Sequence, residues 1–533
     1  MMHPNPLLEP LEQRSLLSGV TLITHGQGGS AKGDVAMVAN LIAQRAGGAS
    51  QYVMKVAQSG TSLAVTSFTR DAGSPDPNTT SSGEIVIKVD WSDVSSSSTA
   101  DIAAAVGEYL LNQAPTGHKL IEQEIALAGP SRGASVMSTL AAVLGKRGVW
   151  VDQVTYLDPV PIPFYDPAMT VTQNVIFSDN YYRNDGNPLN ADFDGQPVDG
   201  SHNNRLDIVQ NNHSIDAHSS VAAYYIATID PTMPIVEPAK KIWFEGKGNQ
   251  RETNGFYYSR LAGGPRPTKG LAPDHGGRAI RQAVKRSGSQ WSNVDDLSLR
   301  SGSTVTAGKP MSVSMLHDDA DSTHSVAVYL DQDRNPYNGS ASRVAGKNLT
   351  KSGTGKVTLT GSTVEAAPGS YYVFAQTRDK GGHVRYSYLN RKITLTAPRS
   401  EDLFASLDNG ALTVRGTVNA DRISLTSTGA SIIATRGDFS QRFNFSDVKS
   451  ITVDAGAGDD YITVGANVPG SVLLGGKGRD LIYGGSNNDT LAGGANPDKL
   501  FGGPGADRLI GSGGRDTAEK DNADSRSSIE VLV

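Results

Sequence analysis

Two groups of residues in this 533-residue chain have types and spacings suited to chemistry. The first centres on a serine between glycines, Gly129-Pro130-Ser131-Arg132-Gly133, entered from the apolar run Ile125 to Ala128 and left through a stretch of small residues. A serine hydroxyl is a weak nucleophile until a base takes its proton, and the base in turn needs a carboxylate to orient it. Downstream, Asp158 closes VDQVTYLD and His218 opens HSSVAAYYIATI, so an acid and a base follow the serine in the order Ser, Asp, His. Asp179 in FSDNYY is a rival acid, and His213 a rival base. The second group is the aspartates 480, 489, 498, 507 and 516, nine residues apart. Carboxylate oxygens on a glycine-rich backbone suit a hard divalent cation such as calcium.

Acyl transfer also needs N–H donors where negative charge develops on the substrate oxygen. Arg132, the residue after the serine, offers one backbone N–H, and the second should come from the loop after an early strand, here His25-Gly26-Gln27-Gly28-Gly29. A glycine loop here also suggests phosphate binding, but the G-K-[ST] ending of such loops is missing.

To work together these residues must be carried to one edge of a sheet. From residue 19 to about 230, short β-branched runs alternate with Ala- and Leu-rich helical patterns, which predicts a parallel sheet with crossover helices. The predicted strands are 20–24, 85–89, 125–128, 151–157 and 175–177, with helices near 35–45, 102–111 and 132–144. The strand, the sharp turn at Ser131 and the following helix give the serine its context, since such a turn lifts the hydroxyl beyond the sheet edge beside a helix N-terminus.

With LDPVP after this helix and HSSVAAYYIATI beyond it, the chain resembles the pancreatic-type lipase family and secreted bacterial lipases and esterases of the α/β-hydrolase fold. The resemblance covers four short motifs over some 200 residues. It implies an ester hydrolase acting on carboxylic esters, lipids among them, with Ser131 as nucleophile, His218 as base, Asp158 as acid, and Gln27 and Arg132 at the oxyanion hole. Two features depart from the pattern. Pro130 stands where the family more often has histidine or tyrosine, and the first strand starts so close to residue 1 that the strands usually preceding it are missing, which implies a minimal sheet.

The aspartate array reads GGKGRDLIY, GGSNNDTLA, GGANPDKLF, GGPGADRLI and GSGGRDTAE, with weaker copies around Asp460 and Asp421. It resembles the calcium-binding nonapeptide repeat of the RTX proteins, which implies a parallel β-roll holding Ca2+ through Asp460, Asp480, Asp489, Asp498, Asp507 and Asp516. Ile482, Leu491, Leu500 and Leu509 fall in phase as an apolar ladder, and Asn487 and Asn496 replace the fourth glycine, where asparagine tolerates a left-handed backbone. A flexible glycine linker is the alternative, but it gives no reason for phased aspartates. Repulsion among these carboxylates without metal couples folding to calcium, and the family's usual role implies folding after export.

Bulk properties bound the rest. The net charge of −6 gives no footprint for nucleic acid, and zero cysteines exclude disulfides and thiolate chemistry. No apolar run reaches the roughly 18 residues of a membrane span. The expected architecture is multidomain. A tail (1–18), in which Leu7 to Ser18 resembles an N-terminal motif of large bacterial surface proteins, precedes an α/β-hydrolase domain (19–235). A basic Gly/Pro-rich linker or flap (236–291) leads to an immunoglobulin-like β-sandwich (292–398) and the β-roll (399–533). Between Lys240 and Gln290, eleven basic residues face three acidic ones, read as a solvated connector or as a patch for an anionic surface. In the sandwich, Asp318, Asp319, Asp321, Asp331 and Asp333 are solvated turn residues or calcium ligands. The expected location is extracellular or at a bacterial cell surface. The competing function is a non-catalytic calcium-dependent surface or adhesion protein with a degenerate hydrolase domain.

Overall fold

The computed structural model describes residues 19–183, 195–206, 217–230, 254–264, 266, 281–287, 291–319, 323–350, 353–389, 391–399 and 402–533. The chain is predominantly β and divides into two compact units, 1–299 with 313–359 and 371–393, and 300–312 with 360–370 and 394–533.

In the first unit an eight-stranded sheet is built from β1 (Val20–Thr24), β2 (Ser50–Ser59), β3 (Ser62–Arg70), β4 (Ile85–Asp90), β5 (Ile125–Pro130), β6 (Val151–Leu157), β7 (Val175–Tyr182) and β8 (His202–Arg205). The strand order is β3-β2-β4-β1-β5-β6-β7-β8, parallel except for β3. The strands between the two faces are apolar on both sides, as a parallel sheet covered by helices requires. Leu22, Ile87 and Leu127 enter one core with α2 (Thr99–Asn112) and α3 (Arg132–Lys146). Their neighbours Ile23, Val86 and Ala128 enter another with α1 (Asp34–Arg45) and α4 (Ala217–Ile229).

The sheet is not minimal. The edge beyond β4 is filled by the β2–β3 hairpin, inserted after α1 rather than before β1. Alternate residues of β2 are buried, the period expected of a strand with one covered face, while β3 is largely exposed and carries a weak signal.

Within the described part of 236–291, residues 282–287 are largely exposed, but two of the basic residues are not solvated. Arg260 is buried with both Glu84 carboxylate oxygens at 2.7 Å, and Arg266 bonds Asp152 at 2.8 Å. These cations are counterions to carboxylates buried in the sheet, which a charge count along the sequence cannot reveal. Residues 293–396 form a six-stranded and a three-stranded sheet. Within the first unit, loop residues of this region bond back to the α/β part: Arg334 N–H to the Ser81 carbonyl at 2.9 Å, and Asn335 Nδ2 to those of Pro77 and Thr80 at 2.8 and 2.9 Å. Asp331 is neither solvated nor free for a metal, because Ser340 and Tyr388 hydroxyls donate to it at 2.7 and 3.0 Å.

The second unit ends in two facing stacks of parallel strands that repeat every 18 residues. Leu473, Leu491 and Leu509 align in one stack, and Ile462, Ile482, Leu500 and Ala518 in the other, all fully buried. Nine residues are thus half a turn, and the eighth position of each repeat always points inward. Among the described residues no helix is long and apolar enough to cross a membrane.

Candidate active site and calcium array

Ser131 sits between β5 and α3 with φ 54° and ψ −132°, a conformation that costs a non-glycine residue of order 1–3 kcal/mol. Several contacts impose it. The Ser131 N–H donates to the Leu157 carbonyl at 2.8 Å, and Gly129 packs so closely on Gly133 that a Cβ would lie 2.7 Å from the Gly133 carbonyl carbon. A Cβ on Gly26 would lie 2.9 Å from Ser131 Cβ, so this glycine lets the β1 loop approach the serine.

Pro130 pairs with Leu157 across β5 and β6, so Ser131 and Asp158 leave neighbouring strands side by side. Asp158 is buried, also with positive φ (48°), and its Oδ2 lies 2.6 Å from His218 Nδ1, the ring nitrogen that therefore carries the proton. The Arg183 N–H and Nε each donate to Asp158 at 3.0 Å. Arg183 has no signature in the sequence beyond following β7. His218, at the start of α4, stays partly exposed. Among the described residues no hydrogen bond joins Ser131 to His218. Asp179 makes no ion pair with His218 among the described residues; it is buried within β7, where Thr155 and Gln153 donate to one oxygen at 2.7 and 3.2 Å and burial pushes it up to about 6. His213 lies outside the described residues.

Gln27 and Arg132 are brought together, but by their side chains: Arg132 Nη1 donates to Gln27 Oε1 at 2.8 Å. The buried Arg132 guanidinium also makes a two-pronged bond to Asp166 at 2.8 Å and reaches the carbonyls of Ser95 and Ser97 at 2.6 and 2.7 Å. Burial works to raise Asp166, but the Arg132 bonds and two backbone N–H groups outweigh it and hold the carboxyl below its ordinary range. The backbone N–H groups of Gln27 and Arg132 donate to nothing among the described residues, and for Arg132 this follows from its place in the first turn of α3. His25 is stacked on Trp91 at 4.4 Å, accepts the Trp91 N–H at Nε2 (3.1 Å) and faces the Gly26 carbonyl with Nδ1 (2.8 Å). Burial lowers its pKa, so it serves as a neutral brace for the loop.

In the second unit the aspartates form two rows. Asp421, Asp460, Asp480 and Asp498 each donate their backbone N–H to Oδ1 of the next, ending on Asp516, at 2.7–2.9 Å. On the other side Ser471 and Asp489 donate to Asp489 and Asp507 at 2.6 and 2.7 Å. Each of the six predicted aspartates thus commits one oxygen, while the other is buried without a hydrogen-bond partner. A Cβ on Gly484 would lie 2.9 Å from the orphaned Asp489 Oδ2 and 2.7 Å from the Gly502 carbonyl oxygen, so that glycine keeps open a pocket of oxygens. Orphaned carboxylate oxygens beside carbonyls fit a hard cation. A family model of the RTX calcium-binding nonapeptide repeat (4 copies) matches residues 471–500 and 483–518.

Residues 471–518 are RTX calcium-binding repeats. The RTX aspartates present in this structure would hold Ca2+ through their free oxygens. Without the ion, burial pushes Asp460 up to about 6 and Asp489 and Asp498 up to about 7, each opposed by one backbone N–H and aided by neighbouring carboxylates. The two RTX rows differ. Gly478, Asn496 and Gly514 take positive φ beside Asp480, Asp498 and Asp516, whereas Asn487 does not and instead donates Nδ2 to the Val468 carbonyl at 2.7 Å. The left-handed expectation therefore holds for Asn496 and fails for Asn487.

No curated protein matches the chain. Two solved structures show faint similarity. A Niemann-Pick type C2 protein from the Japanese carpenter ant is 12% identical over 21% of this chain and 96% of its own (TM-score 0.15). OgpA from Akkermansia muciniphila is 10% identical over 73% and 97% (TM-score 0.17). Scores this low carry no argument about fold or activity.

Proposed function

We propose that the first unit is a serine hydrolase of the α/β-hydrolase type acting on carboxylic esters, in a secreted calcium-binding protein. The supporting observation is the 2.6 Å contact between Asp158 and His218, with Ser131 and Asp158 following the paired ends of the neighbouring strands β5 and β6. In this reading His218, held by Asp158 in the tautomer with Nε2 free, takes the Ser131 proton as the hydroxyl attacks the ester carbonyl. The new C–O bond places negative charge on the carbonyl oxygen, which the Gln27 and Arg132 N–H groups receive. His218 then returns its proton to the leaving alkoxide, and water, activated by the same base, releases the acid and restores the serine. An apolar cavity beside Gly129 and Pro130, bounded by Val35, Val38, Ala222, Tyr225 and Ile226, supports an ester with an apolar acyl group. For the whole protein, the RTX repeats support stabilisation by calcium outside the cell, at or near its surface.

The test is labelling with a fluorophosphonate in calcium. Wild type should label and Ser131→Ala should not, and a panel of p-nitrophenyl esters should turn over faster than matching amides. A wild type that neither labels nor turns over esters would instead favour a calcium-dependent adhesion protein.

A further inference from the structure

We infer that Asp507, Glu519 and Asp524 form an additional calcium site that closes one aspartate row of the β-roll, beyond the last nonapeptide repeat. An 18-residue turn from the pair Gly502-Gly503 and Asp507 would place the next glycine pair at 520–521 and the next aspartate at 525. The chain has Lys520, Asp521 and Ser525 there. The repeat match also ends at 518. Yet the row continues, because Asp524, one residue early, takes the vacant role and its Oδ1 accepts the Asp507 N–H at 3.0 Å. Glu519 reaches in from the start of the same turn, and its Oε1 accepts the Gly503 N–H at 2.6 Å.

One carboxylate oxygen from each of Asp507, Glu519 and Asp524 lies within 4.8 Å of the other two, the one such group of three among the described residues. A second observation points to a cation. Asp507 is 98% buried, and both its Oδ2 and that of Asp524 are enclosed without any hydrogen-bond partner. Burying an anionic oxygen with no donor is costly, and three converging carboxylates multiply that cost unless a cation or protons neutralise them. Three negative charges on hard oxygens suit Ca2+. Burial and the fields of Asp524, Glu519 and Asp521 also raise Asp507, which agrees with this crowding. The other row ends differently: Asp516 donates its N–H to Glu530 Oε2 at 2.8 Å, with no third carboxylate gathered there.

Calcium bound per full-length chain, measured by equilibrium dialysis and elemental analysis, tests the assignment. The double variant Glu519→Gln, Asp524→Asn should bind one Ca2+ fewer than wild type at saturation, while Glu530→Gln should bind the full number. Glu519→Gln alone keeps an acceptor for the Gly503 N–H and removes only charge, so it should weaken one site on the order of tenfold without altering the circular dichroism in calcium. If the double variant fails to fold, this single variant decides the matter. Full stoichiometry in the double variant, or an unchanged titration in Glu519→Gln, would overturn the site. A wild type that binds no calcium would instead discredit the repeat array as a whole.

Discussion

Adding calcium to the metal-free chain should expel protons, and the number should depend steeply on pH. Asp489 and Asp498 rise from an ordinary 3.8 to about 7 in the folded, metal-free roll, and Asp460 to about 6. A calcium ligand must be ionised, so each of these groups gives up whatever proton it holds when metal binds. Together they carry about 2.3 protons at pH 6, about 1.1 at pH 7 and about 0.2 at pH 8, from the titration of three independent groups with those pKa values. The product of the site binding constants should therefore fall about 200-fold between pH 8 and pH 6, each proton released contributing one power of ten per pH unit. Without metal the sign is opposite. Because the folded pKa values are raised, the roll is favoured by these groups below about pH 4, and that advantage disappears as pH rises through about 7. Isothermal titration calorimetry in two buffers of different ionisation enthalpy at each pH gives the proton count directly. Where circular dichroism shows the metal-free roll folded, a release below about 0.5 proton at pH 6, or one that does not shrink by pH 8, would refute the idea that buried, cation-seeking carboxylates make up the array.

Three further outcomes follow from the same geometry. His218→Ala should abolish ester hydrolysis with little effect on thermal stability, since the ring is partly exposed, whereas Asp158→Asn should abolish hydrolysis and also cost ~1.5–3 kcal/mol, because the charge-assisted bonds that the buried carboxylate accepts from the Arg183 N–H and Nε are weakened. Equal melting temperatures for the two variants would contradict this. Arg132→Lys should reduce activity and destabilise by ~3 kcal/mol in denaturant titrations, as an ammonium cannot make the two-pronged bond to Asp166 while reaching Gln27, Ser95 and Ser97; wild-type behaviour would remove Arg132 as the brace of the loop. Leu491→Ala, in a fully buried ladder between Leu473 and Leu509, should cost ~2–5 kcal/mol in saturating calcium, and a loss below ~1 kcal/mol would mean the two stacks can close over the cavity.

What the sequence revealed was what repeats or lies close together along the chain. The strands Val20–Thr24 and Val151–Leu157 have the bounds the sequence predicts, and the aspartate spacing translates directly into half-turns of the roll. Of the β2–β3 hairpin, β3 is illegible in the sequence because it faces solvent over most of its length and so lacks an alternating signal. More instructive are the arginines. The sequence marks Arg132 only for its backbone N–H, yet its guanidinium joins residues from 27 to 166, while Arg183 supports Asp158 across 25 residues and Arg260 reaches Glu84 across 176. A long side chain finds its carboxylate through the tertiary fold, so neither period nor composition marks the pairing, and a run of basic residues looks solvated even when several are buried counterions. The same limit applies at the end of the β-roll. Glu519 and Asp524 break the nonapeptide rule in sequence, and only the register of the turns shows that their oxygens converge on Asp507 as a consensus aspartate's would.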